Sequence, residues 1–178
     1  MNKKALIMTW DGHSDQELQY AYYRLKEDEF QVDIMSNSIG ETIGVNGLKL
    51  KSDYNYTSLE MHYLGFLKSY DLLILPGGVK AMEKLRQETS AIDFVSDWFN
   101  QGKIIGSICH GSQLLISAKV CPGLNISGYY SIKDDIENAG AKYIDQPAVV
   151  SKNIVSTAHY KNLGPWMKAV LQKYYENK

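Results

Sequence analysis

The chain has 178 residues, 44% hydrophobic and 22% charged, which excludes a disordered or fibrous protein and predicts a single domain over residues 1–178. Nineteen basic and twenty acidic residues give a formal net charge of −1, so neither nucleic acid nor an anionic membrane is expected as a partner. No stretch approaches the ~18 apolar residues of a membrane helix. The two cysteines are too few for a disulfide scaffold, and a cytoplasmic protein with free thiols is predicted.

Apolar runs alternate with amphipathic segments along the chain. In order, the pattern predicts strand 6–8, a helix after Ser14, strand 31–36, a hairpin turn at 44–47, strand 72–75, helices 83–86 and 91–100, strand 104–108, helix 113–118, strand 126–129, helix 132–139, strand 154–157 and helix 163–175. Ser14 and Glu17 have the spacing of a capping box, in which both side chains bond backbone amides of the first turn. The alternation predicts a three-layer α/β sandwich, with helices on both faces of a mostly parallel, flavodoxin-like sheet.

The most informative motif is a cysteine between a predicted strand and a predicted helix. Small residues, Ser107 and Gly111, lie two positions before and after Cys109. This pattern is typical of a nucleophile elbow, whose tight turn leaves no room for larger side chains. Amides at the start of the following helix favour a thiolate, and the N–H of His110 would face an oxyanion. We therefore predict that Cys109 is a reactive nucleophile, whereas Cys121 is interpreted as an ordinary buried cysteine.

A second loop follows the predicted strand 72–75. There Pro76 is followed by Gly77 and Gly78. Glycines at the end of a central strand let the backbone approach a ligand, so their amides are candidates to complete an oxyanion hole. A simple turn explains the same residues equally well, and both interpretations stay open at this point.

Motifs spread over nearly the whole chain point to one family. They occupy residues 9–12, 17–18, 22–25, 71–78, 102–103, 108–111, 134–135 and 138–141. Together they resemble the ThiJ/PfpI superfamily, whose fold is that of the class I glutamine amidotransferases, and within it the intracellular protease branch. The segment around the cysteine carries the most specific part of this likeness.

The resemblance implies a cysteine-dependent site and an oligomer. Cys109 would be the nucleophile with His110 beside it, and Gly78, with Gly77 as a second candidate, would donate to the oxyanion together with the turn amide. In the protease-like branch a glutamate after the Gly-Gly pair reaches the histidine of a neighbouring subunit. Glu83 is the candidate for that role in a homodimer or larger homo-oligomer, and an exposed helix charge is the alternative. No metal and no cofactor are implied.

One position departs from the family pattern as we align it. Many members have an acidic residue in the first loop, usually glutamate, that hydrogen-bonds the cysteine sulfur. The alignment puts Ser14 at this place and assigns Glu17 to the following helix. A hydroxyl cannot act as a carboxyl acid or base near neutral pH. The sequence therefore predicts that the acidic partner of Cys109 has been replaced.

Two further histidines are candidates for the substrate pocket, with Ser14 and the two glycines. His159 follows the last predicted strand, so it either lines the pocket or acts as a general base for Cys109. His13 lies in the first loop, where it either approaches Cys109 in place of the missing glutamate or is a solvated loop residue; we favour the solvated residue.

These observations lead to two hypotheses of function. The first is an enzyme, of hydrolase or amidase type or of hydratase or lyase type, in which Cys109 attacks a small electrophilic substrate. The second is a redox-sensing or chaperone-like protein that has lost the acidic catalytic residue. A flavin-type cofactor is not expected, because the loop at Gly12 lacks a phosphate-binding pattern.

Overall fold

The computed structural model describes residues 3–177, so the ends of the predicted domain, residues 1–2 and 178, lie outside the described residues. The strands are β1 (Lys4–Met8), β2 (Gln31–Ser36), β3 (Thr42–Ile43), β4 (Lys49–Leu50), β5 (Tyr54–Asn55), β6 (Leu72–Leu75), β7 (Ile104–Ile108), β8 (Asn125–Ile126), β9 (Lys142–Tyr143), β10 (Val149–Ser151) and β11 (Ile154–Thr157). The α-helices are α1 (Asp15–Glu27), α2 (Tyr56–Met61), α3 (Tyr63–Ser69), α4 (Val79–Leu85), α5 (Thr89–Asn100), α6 (Ser112–Ser117), α7 (Lys133–Asn138) and α8 (Leu163–Glu176).

A seven-stranded sheet forms the middle layer, with the strand order β10-β11-β7-β6-β1-β2-β5. All neighbouring strands in it pair in parallel except β10 and β11, which are antiparallel at one edge. Every residue of β6 and β7 is buried, as expected for parallel strands covered on both faces. The predicted α/β class, with a mostly parallel sheet flanked by helices, is confirmed.

Side chains that alternate along β1 divide between two hydrophobic clusters, one on each face of the sheet. Leu6 and Met8 pack in the cluster that includes residues of α2–α7, among them Trp98. Ala5 and Ile7 pack in the other cluster, which is covered by α1 and α8. This period of two is the geometry of a strand, and it explains why the run is apolar at successive positions.

The first loop and the β3–β4 hairpin are joined by hydrogen bonds. The two carboxylate oxygens of Asp15 accept the amides of Asn46 (2.9 Å) and Leu48 (2.8 Å). The amide of Val45 donates to the carbonyl of His13 at 2.9 Å. The hairpin predicted from the Asn-Gly pair is therefore confirmed, and it covers the loop that precedes α1.

Some elements differ from the sequence prediction. The strand predicted at 126–129 is only Asn125–Ile126, and it pairs with β9 in a separate small sheet. The helix predicted at 83–86 begins earlier, at Val79. Strand β5 and helices α2 and α3 were not predicted, because aromatic and polar residues mix there without a clean period and Gly65 interrupts the helical pattern. None of the helices within residues 3–177 is long and apolar enough to cross a membrane.

Candidate active site

Cys109 lies at the sharp turn between β7 and α6. Its φ of 59° is in the left-handed region, which is strained for a residue with a side chain. A Cβ atom on Gly111 would lie 2.1 Å from the carbonyl oxygen of Leu75, so the small residue predicted there is required by the fold. The side chain of Cys109 is 8% exposed, at the edge of the sheet where the parallel strands end.

The carboxyl group of Glu17, in the first turn of α1, lies against this cysteine. It accepts the amide of Gly77 at 2.7 Å and hydrogen bonds from the Cys109 thiol and the Ser14 hydroxyl. Gly77 makes the contact possible, since a Cβ there would lie 2.7 Å from the Glu17 Oε2 atom and 2.8 Å from the Cys109 Cβ. Glu17 is 1% exposed, so this carboxyl group faces the cysteine and not solvent.

The prediction that the acidic partner of Cys109 has been replaced is therefore wrong. Ser14 does occupy the N-cap position of α1, but its side chain makes no capping hydrogen bond. The Ser14–Glu17 pair does not form a capping box, because the Glu17 side chain turns inward to Gly77 and Cys109. Ser14 contributes to the site by donating its hydroxyl to the Glu17 carboxylate.

Glu17 and Cys109 are coupled through their protons. Burial raises the pKa of Glu17 from its ordinary value of 4.5 to about 7, although hydrogen bonds from Gly77, Cys109 and Ser14 oppose the shift. Burial and the negative charge of Glu17 raise the pKa of Cys109, while the amides of His110 and Gly78 lower it. The expectation that the turn favours a thiolate is therefore wrong, because burial and the charge of Glu17 outweigh the two amides. Of the two groups, Glu17 is the one whose pKa lies near neutral pH.

The two amides of the Gly-Gly loop face different side chains, one Glu17 and the other Cys109. The backbone amides of Gly78 and His110 lower the pKa of Cys109, so both face the sulfur. The amide of Gly77 is engaged by Glu17, so it is not free to bind an oxyanion. Gly78 has a φ of 108°, and a Cβ there would lie 2.7 Å from the Cα of His13. The glycines thus let the loop pass between Cys109 and the first loop.

His110 lies between the cysteine and two residues that follow β8. Its Nδ1 is 3.3 Å from the Cys109 sulfur, and its Nε2 is 3.4 Å from the hydroxyl of Ser131. Its ring stacks on Tyr129 with centroids 4.8 Å apart. Burial lowers the pKa of His110, and the charge of Glu83 partly opposes this shift. A neutral imidazole with one nitrogen at the sulfur and one at a hydroxyl is the form expected at neutral pH.

Glu83 is exposed on α4. Its carboxylate is 3.4 Å from the side-chain amide of Gln113 and 3.9 Å from the guanidinium of Arg86. Within its own chain it therefore acts on His110 through charge rather than through a direct hydrogen bond. Its predicted contact with the histidine of a neighbouring subunit stays a prediction.

His13 is fully buried, so its preferred interpretation as a solvated loop residue is wrong. The β3–β4 hairpin covers it, and neither ring nitrogen has a hydrogen-bond partner among residues 3–177. Burial lowers its pKa, and the backbone of Ser14 and the charges of Asp15 and Asp11 oppose the shift. The part of His13 that borders the site is its backbone, which packs against Gly78.

His159 is further from the cysteine than His110, because the ring of Tyr129 lies between the two histidines. Its ring is 6.1 Å from that of Tyr129, and its Nδ1 accepts the amide of Lys161 at 3.2 Å. Among the described residues, the side chains that reach the Cys109 sulfur are Glu17 and His110. This position agrees with the interpretation of His159 as a lining residue rather than a base.

The sequence analysis missed the roles of Glu17, Tyr129 and Ser131. The amide of Tyr129 donates to the carbonyl of Cys109 at 3.1 Å, which holds the loop after β8 against the turn. No local pattern signals these contacts, since each joins segments that are far apart in the sequence. Within residues 3–177 no three His, Cys, Asp or Glu side chains converge so as to hold a metal ion.

The fold and the site together define an α/β protein in which a buried cysteine and a glutamate lie side by side at the carboxyl edge of a parallel sheet. The model of the DJ-1/PfpI family matches residues 3–173, and the chain belongs to this family, as the sequence motifs predicted. "Deglycase PfpI" of Pyrococcus furiosus is 37% identical over 165 residues, which cover 93% of this chain and 95% of that protein. "Protein/nucleic acid deglycase 2" of Escherichia coli is 31% identical over 163 residues, 89% of each chain.

A solved structure of a larger protein contains the same fold. The two-domain protein from Anabaena variabilis with DJ-1/ThiJ/PfpI-like and ferritin-like domains superposes with a TM-score of 0.89 at 28% identity. The match covers 97% of this chain and 48% of that one, so this chain spans about half of the two-domain protein.

Proposed function

We propose that this protein is a cysteine-dependent hydrolase that cleaves a bond at the carbonyl group of a small molecule. Cys109 is the nucleophile on a nucleophile elbow, and Glu17 is its acid–base partner. One observation carries the proposal: the buried carboxyl group of Glu17 lies beside Cys109, where Gly77 has no room for a Cβ between them, and burial raises the pKa of this carboxyl group to about 7. A group with this pKa can accept and return a proton near neutral pH.

The first step transfers the thiol proton and forms the carbon–sulfur bond. The Glu17 carboxylate accepts the proton of Cys109 while the sulfur attacks the carbonyl carbon, and the carbonyl π pair moves to the oxygen. The amides of Gly78 and His110 lie at the sulfur in the resting site, so they are positioned to donate to that oxygen. Because the thiol pKa is raised by burial, the carboxylate base is needed for this step.

In the second step the proton leaves Glu17 again. The oxyanion collapses, the bond from carbon to the leaving group breaks, and Glu17 returns its proton to that group. A water molecule, deprotonated by Glu17, then attacks the thioester carbon and releases the acid product and the thiol. His110, neutral and 3.3 Å from the sulfur, fixes the orientation of Cys109 during both steps.

The names of the relatives support the hydrolase over the hydratase or lyase type. Two relatives that match 89% or more of this chain are named deglycases. The first substrates to test are simple amides, esters and thioesters, because each carries a leaving group on the carbonyl carbon, as the proposed steps require. The alternative of a non-catalytic protein depended on loss of the acidic residue, and the contact between Glu17 and Cys109 removes that ground.

The test measures turnover of this substrate panel by the wild type, Cys109→Ser and Glu17→Gln. We expect Glu17→Gln to lower kcat/KM by about 10²- to 10⁴-fold, the usual contribution of a general base. The matched control is Glu27→Gln, on the same helix but with 76% of its side chain exposed, which should keep wild-type turnover. In the wild type, kcat/KM should rise with pH through an apparent pKa of about 7, because the active form of Glu17 is the carboxylate. Equal turnover in wild type and Glu17→Gln would contradict the proposal.

A further inference from the structure

A continuous row of aromatic rings leads from the reactive cysteine to solvent. His110 stacks on Tyr129 at 4.8 Å, and Tyr129 lies 5.6 Å from Tyr130 and 6.1 Å from His159. The ring of Tyr160 is 4.0 Å from that of His159. We call the outer part of this row, Tyr130, His159 and Tyr160, the aromatic shelf.

The shelf is exposed although its rings are large. Tyr130 is 41% exposed and Tyr160 is 48% exposed, and both lie on turns, not on a helix face that packs elsewhere. Exposed aromatic residues that lie together, rather than singly, mark binding surfaces in soluble proteins. The five ring contacts show that this is one surface and not a set of separate side chains.

Cys109 has neighbours of two kinds. Glu17 and the Gly-Gly loop lie at the sulfur together with backbone amides. His110 belongs both to the sulfur's surroundings and to the row of rings. A substrate that has its carbonyl carbon at the sulfur and extends past His110 meets the shelf along this row.

We infer that the aromatic shelf binds a flat aromatic ring in the part of the substrate that is attached to the reacting carbonyl. The inference rests on the proposed function and narrows its substrate class to carbonyl compounds that carry an aromatic or heteroaromatic ring. Rings stack on such a surface through offset faces, and hydrogen bonds are not required. The ammonium group of Lys161 lies 5.7 Å from the centroid of Tyr130, at the rim of the shelf.

The test uses two alkylating probes of similar size on the full chain. N-phenyl-iodoacetamide carries a flat ring and N-cyclohexyl-iodoacetamide a puckered one. With either probe the Cys109 sulfur bonds to the methylene carbon, the carbon–iodine bond breaks, iodide leaves, and the thiol proton is released to the buffer. The rate constant at Cys109, located by mass spectrometry, is divided by that of free cysteine to remove the intrinsic reactivity of each probe.

We expect the phenyl probe to be favoured about three- to tenfold in the wild type, a typical gain from ring stacking. Tyr160→Leu should bring the ratio close to one, and Tyr160→Phe should restore it, because the ring and not the hydroxyl is used. The matched control is Tyr23→Leu, another exposed tyrosine (54%), which should leave the ratio unchanged. A ratio of one in the wild type overturns the inference.

A binding measurement without any reaction separates this inference from the proposed function. Saturation-transfer NMR with acetanilide and N-cyclohexylacetamide should detect the first ligand preferentially, and Tyr160→Leu should abolish that preference. If acetanilide binds but Cys109→Ser keeps full turnover, the proposed function fails and the shelf stands. If turnover requires Cys109 and acetanilide does not bind, the shelf fails alone. Loss of acetanilide binding as the protein self-associates would make the surface an interface between copies and would also overturn the inference.

Discussion

Cys109 and Cys121 are both free and both buried, but their surroundings differ in kind. Cys121 is fully enclosed in the hydrophobic cluster on one face of the sheet, and burial alone raises its pKa to about 11. Cys109 combines burial with a carboxyl group, an imidazole and two amides at its sulfur. The comparison teaches that burial makes a thiol inert unless a base is buried with it. In the proposed reaction that base is Glu17.

The largest expected difference is in turnover. Cys109→Ala should lower the turnover of any substrate found in the panel by a factor on the order of 10³ or more, as expected when a nucleophile is removed. Cys121→Ala should keep kcat/KM and instead lower the free energy of unfolding by roughly 1–2 kcal/mol, because a buried group is removed from the core. Steady-state kinetics and urea unfolding of both variants test the pair. A Cys121→Ala variant with lost turnover but normal folding would break the comparison.

The second expected effect concerns stability against pH. The folded-state pKa of Glu17 is about 7 and its ordinary value is 4.5, so the folded protein holds this proton more tightly than the unfolded chain. The associated stability is complete below pH 4.5 and is lost as the pH rises to about 7, a change of about 3 kcal/mol. Glu17→Gln lacks this loss. The free energy of unfolding of Glu17→Gln, relative to that of the wild type, should therefore increase between pH 4 and pH 8. The same difference for Glu27→Gln should stay constant.

A third experiment removes the charge that distinguishes the two thiols. In Glu17→Gln the negative charge that raises the pKa of Cys109 is absent, so the thiolate forms at lower pH. Alkylation of Cys109 by iodoacetamide at pH 7 should rise, by roughly tenfold for each unit by which the pKa falls. The rate at Cys121 should not change. Faster alkylation together with slower turnover would separate the effect of the Glu17 charge on the thiol pKa from the part that Glu17 plays in the reaction. Unchanged or slower alkylation would contradict the effect of that charge on the thiol.

The smallest expected effect is at the far side of His110. Ser131→Ala removes the hydroxyl that lies 3.4 Å from Nε2 of His110, a long hydrogen bond worth about 0.5–1 kcal/mol. We expect kcat/KM to fall about two- to fivefold with its pH profile displaced, and Ser131→Thr to restore both. Since Ser131 is exposed, its loss should leave the unfolding midpoint unchanged. An unchanged pH profile would show that the hydroxyl does not position the imidazole.

The part of the site that the sequence predicts is the part that local geometry controls. The turn at Cys109 is predictable because small residues at fixed distances from a nucleophile reflect a steric requirement, which the contact of Gly111 with Leu75 shows directly. The strands Leu72–Leu75 and Ile104–Ile108 are predictable because burial on both faces makes them continuously apolar.

Contacts between distant segments account for what the sequence analysis missed. Glu17 has a sufficient local explanation as a capping-box residue, and only the folded chain brings Gly77 and Cys109 to it. His13 looks like a loop residue because the hairpin that buries it is another segment of the chain. Both errors come from judging a polar side chain by its own segment of the chain alone.

The attachment of the β3–β4 hairpin to the first loop has a consequence for the energetics of the reaction. Asp15 holds two hairpin amides, and the residue two positions later along the same helix turn is Glu17. In the proposed reaction, the carboxyl group that receives and returns the proton is therefore carried on a segment that is fixed from both sides. In water, dipoles must reorient each time a charge moves, whereas here the Gly77 amide and the Ser14 hydroxyl already point at Glu17. The reorganisation energy of the proton transfer is thus met during folding, before any substrate arrives.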